Sequence, residues 1–130
     1  MITLTIPGPP IPWKAPYVGC RGAFSPRTKI MNDFRAILKS QYKENLISTA
    51  IRCDLVFFMP IPKSVSKKKR ELMINGNLRP ITTPDRGNLL KLFEDCLQDS
   101  VICNDSLIVE GNASKWYSEM PRTLITITVL

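Results

Sequence analysis

The residues best suited to chemistry lie in Pro84-Asp85-Arg86-Gly87-Asn88-Leu89-Leu90-Lys91-Leu92-Phe93-Glu94-Asp95-Cys96-Leu97 and in Asn104-Asp105-Ser106 just beyond it. On a helix beginning near Asn88, steps of three and four put Asn88, Lys91 and Asp95 on one face, away from Leu89, Phe93 and Cys96. Asp85 stands at the mouth of that face. Two readings follow. In one, Asp85 is a helix N-cap and Lys91 with Asp95 is a surface pair worth roughly a few tenths of a kcal/mol. In the other, these carboxylates hold a hard cation, because Mg²⁺ takes a few carboxylate oxygens and waters and lets a phosphate complete its octahedron.

Composition narrows the chemistry further. The 130 residues contain no histidine, which removes imidazole bases, Ser-His-Asp triads and every histidine-containing metal site. Cys20, Cys53, Cys96 and Cys103 form no C-x-x-C pair, so they read as reduced, buried small hydrophobes rather than zinc ligands. No apolar run reaches the ~20 residues of a membrane span, and Met1 to Ile6 lacks the basic start of a signal peptide. A cytoplasmic setting with no membrane contact and no organic cofactor is expected. Eighteen Lys and Arg against 11 Asp and Glu leave a formal charge of +7, which ranks nucleic acid first among partners.

The elements that must position these residues can be read from periodicity. Ile2-Thr3-Leu4-Thr5-Ile6 alternates as a half-buried strand, and Pro7 to Pro26 is too rich in Pro and Gly for regular structure. That long loop carries Lys14, Arg21, Arg27 and Lys29 among Trp13, Tyr17 and Phe24, a mixture suited to nucleic acid and equally to an ordinary solvated loop. Thr28 to Ser48 reads as an amphipathic helix, with Ile30, Phe34, Ile37, Leu38, Tyr42 and Leu46 as its stripe. Ala50 to Met59 is a central strand ended by Pro60 and Pro62. Ser64-Val65-Ser66 caps a short basic helix through Lys67, Lys68, Lys69 and Arg70 to Met73, stopped at Asn75-Gly76. A helix over Asn88 to Leu97 follows, and Leu107 to Trp116 and Thr123 to Val129 are two closing strands around a turn at Glu119-Met120-Pro121. The order predicts a single α+β domain over residues 1–130, one small mixed sheet packed against helices.

At this point the sequence resembles a known family, the RusA-type Holliday junction resolvases and their phage-borne relatives. The shared pattern is P-D-x-D-N-L-x-K-x-x-x-D-x-L followed by a [DN]-D pair that opens a strand. Pro84, Asp85, Asn88, Leu89, Lys91, Asp95, Leu97 and Asn104-Asp105 match it, and the similarity extends to Met59-Pro60-Ile61-Pro62-Lys63-Ser64 and the Ser66 to Arg70 run. The resemblance implies a homodimeric, Mg²⁺-dependent endonuclease, with Mn²⁺ as a substitute, that binds four-way DNA junctions and nicks two opposing strands symmetrically. It implies that Asp85 and Asp105 are catalytic acids and that Lys91 is required. Two positions depart from the pattern: Gly87 stands where the second aspartate of P-D-x-D-N belongs, and Asn104 takes the first place of the acidic pair.

Phosphodiester hydrolysis without histidine calls for carboxylate-held Mg²⁺ and a lysine to neutralise developing charge. Asp85, Asp105 and Lys91 can fill those roles. With Gly87 lacking a side chain, the further ligand must come from Asp95, Glu94, Asp99 or water, and Asp95 is the choice because it shares the Asn88/Lys91 face. Lys67, Lys68, Lys69 and Arg70 are expected to meet DNA phosphates, with Lys14, Arg27 and Arg86 alongside, and Arg86 nearest the scissile group. Two rival functions remain open: a degenerate member that binds junctions and cuts poorly, and a non-catalytic basic DNA- or RNA-binding module.

Overall fold

The computed structural model describes residues 1–15, 17–19, 22–24 and 27–130, with 17–19 and 23–24 as backbone only. Its centre is β4 (Ile51–Pro60), whose strict alternation buries Ile51, Cys53, Leu55, Phe57 and Met59 on one face and leaves the intervening residues half-exposed. β7 (Arg122–Val129) lies antiparallel on one side of β4, and β1 (Ile2–Pro7) lies antiparallel beyond β7. On the other side, β5 (Ile108–Glu110) and β6 (Ala113–Ser118) both run parallel to β4. The result is a mixed five-stranded sheet, the α+β architecture expected from the sequence.

Helices cover the buried face. α1 (Thr28–Gln41) contributes Leu38, and α3 (Arg86–Leu97) contributes Leu89, Leu92, Phe93, Cys96 and Leu97. Phe93 stacks on Phe34 at 5.4 Å and tilts against Phe57 at 5.6 Å, so one aromatic ring joins both helices to the central strand. α2 (Lys67–Ile74) begins at the Ser66 cap, whose hydroxyl accepts from Lys69 N–H, and closes at Asn75-Gly76 as the sequence predicts. It adjoins β6, where the Trp116 ring lies against Gly76.

Several expectations need correction. The loop from Pro7 to Pro26 contains a short antiparallel ladder, β2 (Tyr17–Gly19) with β3 (Gly22–Phe24). Arg21, Cys20 and the side chains of Tyr17 and Phe24 lie outside the described residues. α1 stops at Gln41 rather than Ser48, because Ile47 bridges Ile102 and exchanges hydrogen bonds with Val101 and Cys103, drawing the chain out of the helix. The span expected as one strand from Leu107 to Trp116 is a single turn at Asp105–Leu107, then β5 and β6 broken at Gly111-Asn112. Gly111 is required there: a Cβ would sit 1.8 Å from the Cys53 carbonyl oxygen, and its φ is +147°. β6 and β7 do not pair with each other, since β4 lies between them. Cys53 and Cys96 are buried as expected, but Cys103 is exposed.

Candidate active site

α3 starts two residues earlier than the periodicity indicates, because Asp85 is its N-cap. One carboxylate oxygen of Asp85 accepts the Asn88 backbone N–H at 2.7 Å, and the other lies 3.4 Å from the Asn88 side-chain amide. Arg86, Gly87 and Asn88 therefore form the first helical turn, and all three are exposed. A Cβ at Gly87 would meet only Asp85 Oδ1, at 3.8 Å. The motif position that lacks its carboxylate thus faces open space beside the first acid.

The remaining face of α3 divides in two. Asn88, Lys91 and Asp95 look toward the Pro-rich segment and α1, while Arg86, Leu90 and Glu94 line a cleft of about 420 Å³ with Cys53 and the chain from Ile108 to Ala113. On the first side, Trp13 N–H donates to the Asn88 carbonyl at 2.9 Å, and the Lys91 ammonium lies over the Trp13 ring, 3.8 Å from its centre. Trp13, Lys14, Arg27, Pro84, Asp85 and Asn88 share a second cleft. Lys14 and Arg27 thus line the same cleft as Asp85, and Arg27 Nε donates to the Pro12 carbonyl at 3.1 Å. Arg35, reaching from α1, donates to the Asp95 backbone carbonyl at 2.8 Å.

Asp105 opens the turn that follows α3. Its N–H donates to Gln98 Oε1, and Asn104 caps the same turn by accepting from Ser106 N–H at 2.9 Å. The amide at the first place of the acidic pair is thus a structural cap. Asp105 bears on the C-terminal half of α3. Burial, then Asp105 and Asp95, pushes the Glu94 carboxyl above its usual range. Burial followed by Asp105 raises Asp95 as well, against the pull of Lys91 and Arg35.

Asp85, Asp105 and Asp95 are not gathered into one chelating group. Among the described residues no set of three His, Cys, Asp or Glu side chains is arranged to hold a metal ion. Asp85 and Asp95 are separated by ten positions, about 15 Å of helix axis. Glu94, one of the alternatives to Asp95, shares a cleft with Arg86 and feels Asp105 more than Asp95. Asp99, another alternative, sits exposed in the turn after α3 with φ +68°. By type these carboxylates are donors that Mg²⁺ takes, one or two at a time with waters and a phosphate supplying the rest, and the crowding of Glu94 and Asp95 by Asp105 is a repulsion a cation would relieve. Burial first pushes the Cys53 and Cys96 thiols up, both to about 12, which keeps them neutral at pH 7 in the metal-free protein.

Three cations near the site are engaged with backbone carbonyls. Arg86 Nη1 donates to Ala113 at 3.2 Å, Arg79 Nε to Lys115 at 2.8 Å, and Lys115 Nζ to Thr82 and Pro84 at 2.9 and 2.7 Å. Arg86, the residue expected nearest the scissile phosphate, thus has one guanidinium nitrogen bonded to β6. Lys67, Lys68 and Lys69 are exposed on α2, and Arg70 pairs with Glu119 at 3.4 Å. No described helix is long and apolar enough to cross a membrane.

A family model described as endodeoxyribonuclease RusA matches residues 7–128. The chain is also 38% identical over 104 residues to the uncharacterized protein YqaN of Bacillus subtilis (strain 168), a match covering 78% of this chain and 73% of that protein.

Proposed function

Because the chain belongs to the endodeoxyribonuclease RusA family, a family of Holliday junction resolvases, we propose that it is a Mg²⁺-dependent nuclease acting on four-way DNA junctions. It acts in the cytoplasm as a homodimer, since paired symmetric nicks need two sites. The observation that carries the reading is the family match along nearly the whole chain, joined to the placement of Asp85 in a cleft whose Trp13 wall holds the Lys91 ammonium.

In this reading Asp85 and Asp105 each give a carboxylate to bound metal, with waters and the phosphate completing the shell, and Glu94 or Asp95 can share only the Asp105 end, since Asp95 lies about 15 Å of helix axis from Asp85. Bound Mg²⁺, or Mn²⁺ in its place, supplies Lewis-acid activation at the scissile phosphate. Lys91, held on the indole, neutralises charge that develops on the phosphate oxygens. Lys67, Lys68, Lys69 and Arg70 hold the flanking backbone, with Lys14, Arg27 and Arg86 alongside, and their charge steers the polyanion to the site. A second reading, a junction binder that cuts little, is favoured by Gly87, where the motif's second carboxylate is missing.

The test is nicking and gel shift of a synthetic four-way junction with one preparation. Asp85→Asn and Asp105→Asn should abolish cleavage and leave junction affinity equal or improved, since each removes a ligand and a repulsion of phosphate. Both variants cutting at the parent rate would sink the assignment. An inert parent that still prefers four-way to linear duplex would establish the second reading, and no preference would leave a general nucleic-acid-binding module.

A further inference from the structure

The geometry points to Lys115 as the positioning residue of the candidate site, the side chain that fixes where Asp85 stands relative to Asp105. This rests on the nuclease reading above. Lys115 projects from β6, half-buried, and its ammonium donates to the carbonyls of Thr82 and Pro84. The Pro84 carbonyl belongs to the same peptide plane as the Asp85 nitrogen. Holding that oxygen at 2.7 Å therefore restricts rotation at the residue whose carboxylate must both cap α3 and meet the substrate.

The surroundings reinforce this geometry. On the far side of Asp85, Arg86 donates to the Ala113 carbonyl, so both neighbours of the acid are tied to one strand. The strand side is anchored in turn: Arg79 donates to the Lys115 carbonyl and lays its guanidinium over the Trp116 ring, 3.3 Å from the centre. β6 continues from the Asp105 turn through β5 and the Gly111 crossing. Lys115 thus joins the arm that carries Asp85 to the arm that carries Asp105. An ammonium has three N–H donors and two are spent on carbonyls, which distinguishes Lys115 from the exposed lysines of α2.

Lys115→Met keeps the aliphatic stem and removes the donors, whereas Lys115→Arg can still reach both carbonyls. The first readout needs no activity: amide exchange at Asn88, whose N–H rests on Asp85 Oδ1, compared with the sheet amide of Ile125. Asn88 exchange should accelerate at least tenfold in Lys115→Met with Ile125 unchanged, and return toward the parent in Lys115→Arg. In junction cleavage, kcat should fall about 10²-fold on Lys115→Met, with affinity and salt slope unchanged, because a displaced reacting group costs about that much. Should Lys115→Met fail to fold, Lys115→Gln, with one donor pair, carries the same comparison and should fall between. Unchanged Asn88 exchange would overturn the proposal. So would weaker junction binding with a salt slope lowered by about 0.9, the mark of a phosphate contact. If the parent nicks no junction, the nuclease reading fails while the exchange comparison still decides the role of Lys115.

Discussion

Gly87→Asp adds a carboxylate beside Asp85, and its consequence follows from the local geometry. The position is the second residue of α3, exposed, with only Asp85 Oδ1 near a new Cβ, so the substitution needs no repacking. Without metal, three effects nearly cancel. Replacing a helical glycine gains roughly 0.3 kcal/mol, and negative charge in the first turn gains about 0.3–1 kcal/mol. Repulsion between two carboxylates about 5 Å apart in water costs about 0.8 kcal/mol. The metal-free Tm should therefore stay within a few degrees of the parent. With Mg²⁺ the balance changes: if the paired carboxylates bind it with a Kd of about 1 mM, then about 10 mM stabilises by about 1.4 kcal/mol. For 130 residues at about 2.1 cal/mol/K each, that is a rise of about 5 °C in Tm. Thermal melts in Mg²⁺ and in EDTA at matched ionic strength measure it, and junction nicking should need less Mg²⁺ for half-maximal rate. A variant whose Tm and metal requirement match the parent's refutes the reasoning. Were Asp95→Asn then to abolish activity, the site would have been rewired onto the helix. If parent and variant are both inert, the idea of a cutting enzyme short of one ligand fails.

Two other perturbations address the DNA surface and the second acidic arm. Replacing Lys67, Lys68, Lys69 and Arg70 by alanine should weaken binding to every DNA shape and flatten the dependence of log K on log salt by about 0.9 per lost phosphate contact, and an unchanged slope returns the run to solvated surface. Glu94 carries a carboxyl raised by burial and by Asp105, so it favours the fold while protonated and that contribution is lost as pH rises from its unfolded value through its raised one. Glu94→Gln should accordingly stabilise the protein at pH 7 and not at pH 4, and a Tm difference independent of pH would exclude a raised Glu94 carboxyl.

The parts of the fold legible in the sequence were those whose signal is local. The alternation of β4 and β7, the Ser66 cap with its Asn75-Gly76 stop, and the buried stripe of α3 each follow from residues within one or two turns of one another. What escaped depends on partners distant in the chain. α1 ends at Gln41 because Ile47 meets Ile102, and β5 parts from β6 where Gly111 crosses Cys53. The candidate site divides the same way. The spacing of Asp85, Asn88 and Lys91 states that they share the start of one helix, and the structure places them there. Choosing Asp95 as the added ligand used only the face it shares with Lys91. That face turns toward Trp13 and Arg35, whereas the chain following Asp105 runs along the face of Arg86, Leu90 and Glu94. Helical periodicity groups residues by face but cannot say which face a later strand will meet. Here that strand is fixed by pairing with β4, by the Lys115 ammonium donating to the Thr82 and Pro84 carbonyls, and by Arg86 donating to the Ala113 carbonyl. Glu94, one residue from the position that periodicity selects, is therefore the acid to mutate first when asking which side chain stands in for the carboxylate missing at Gly87.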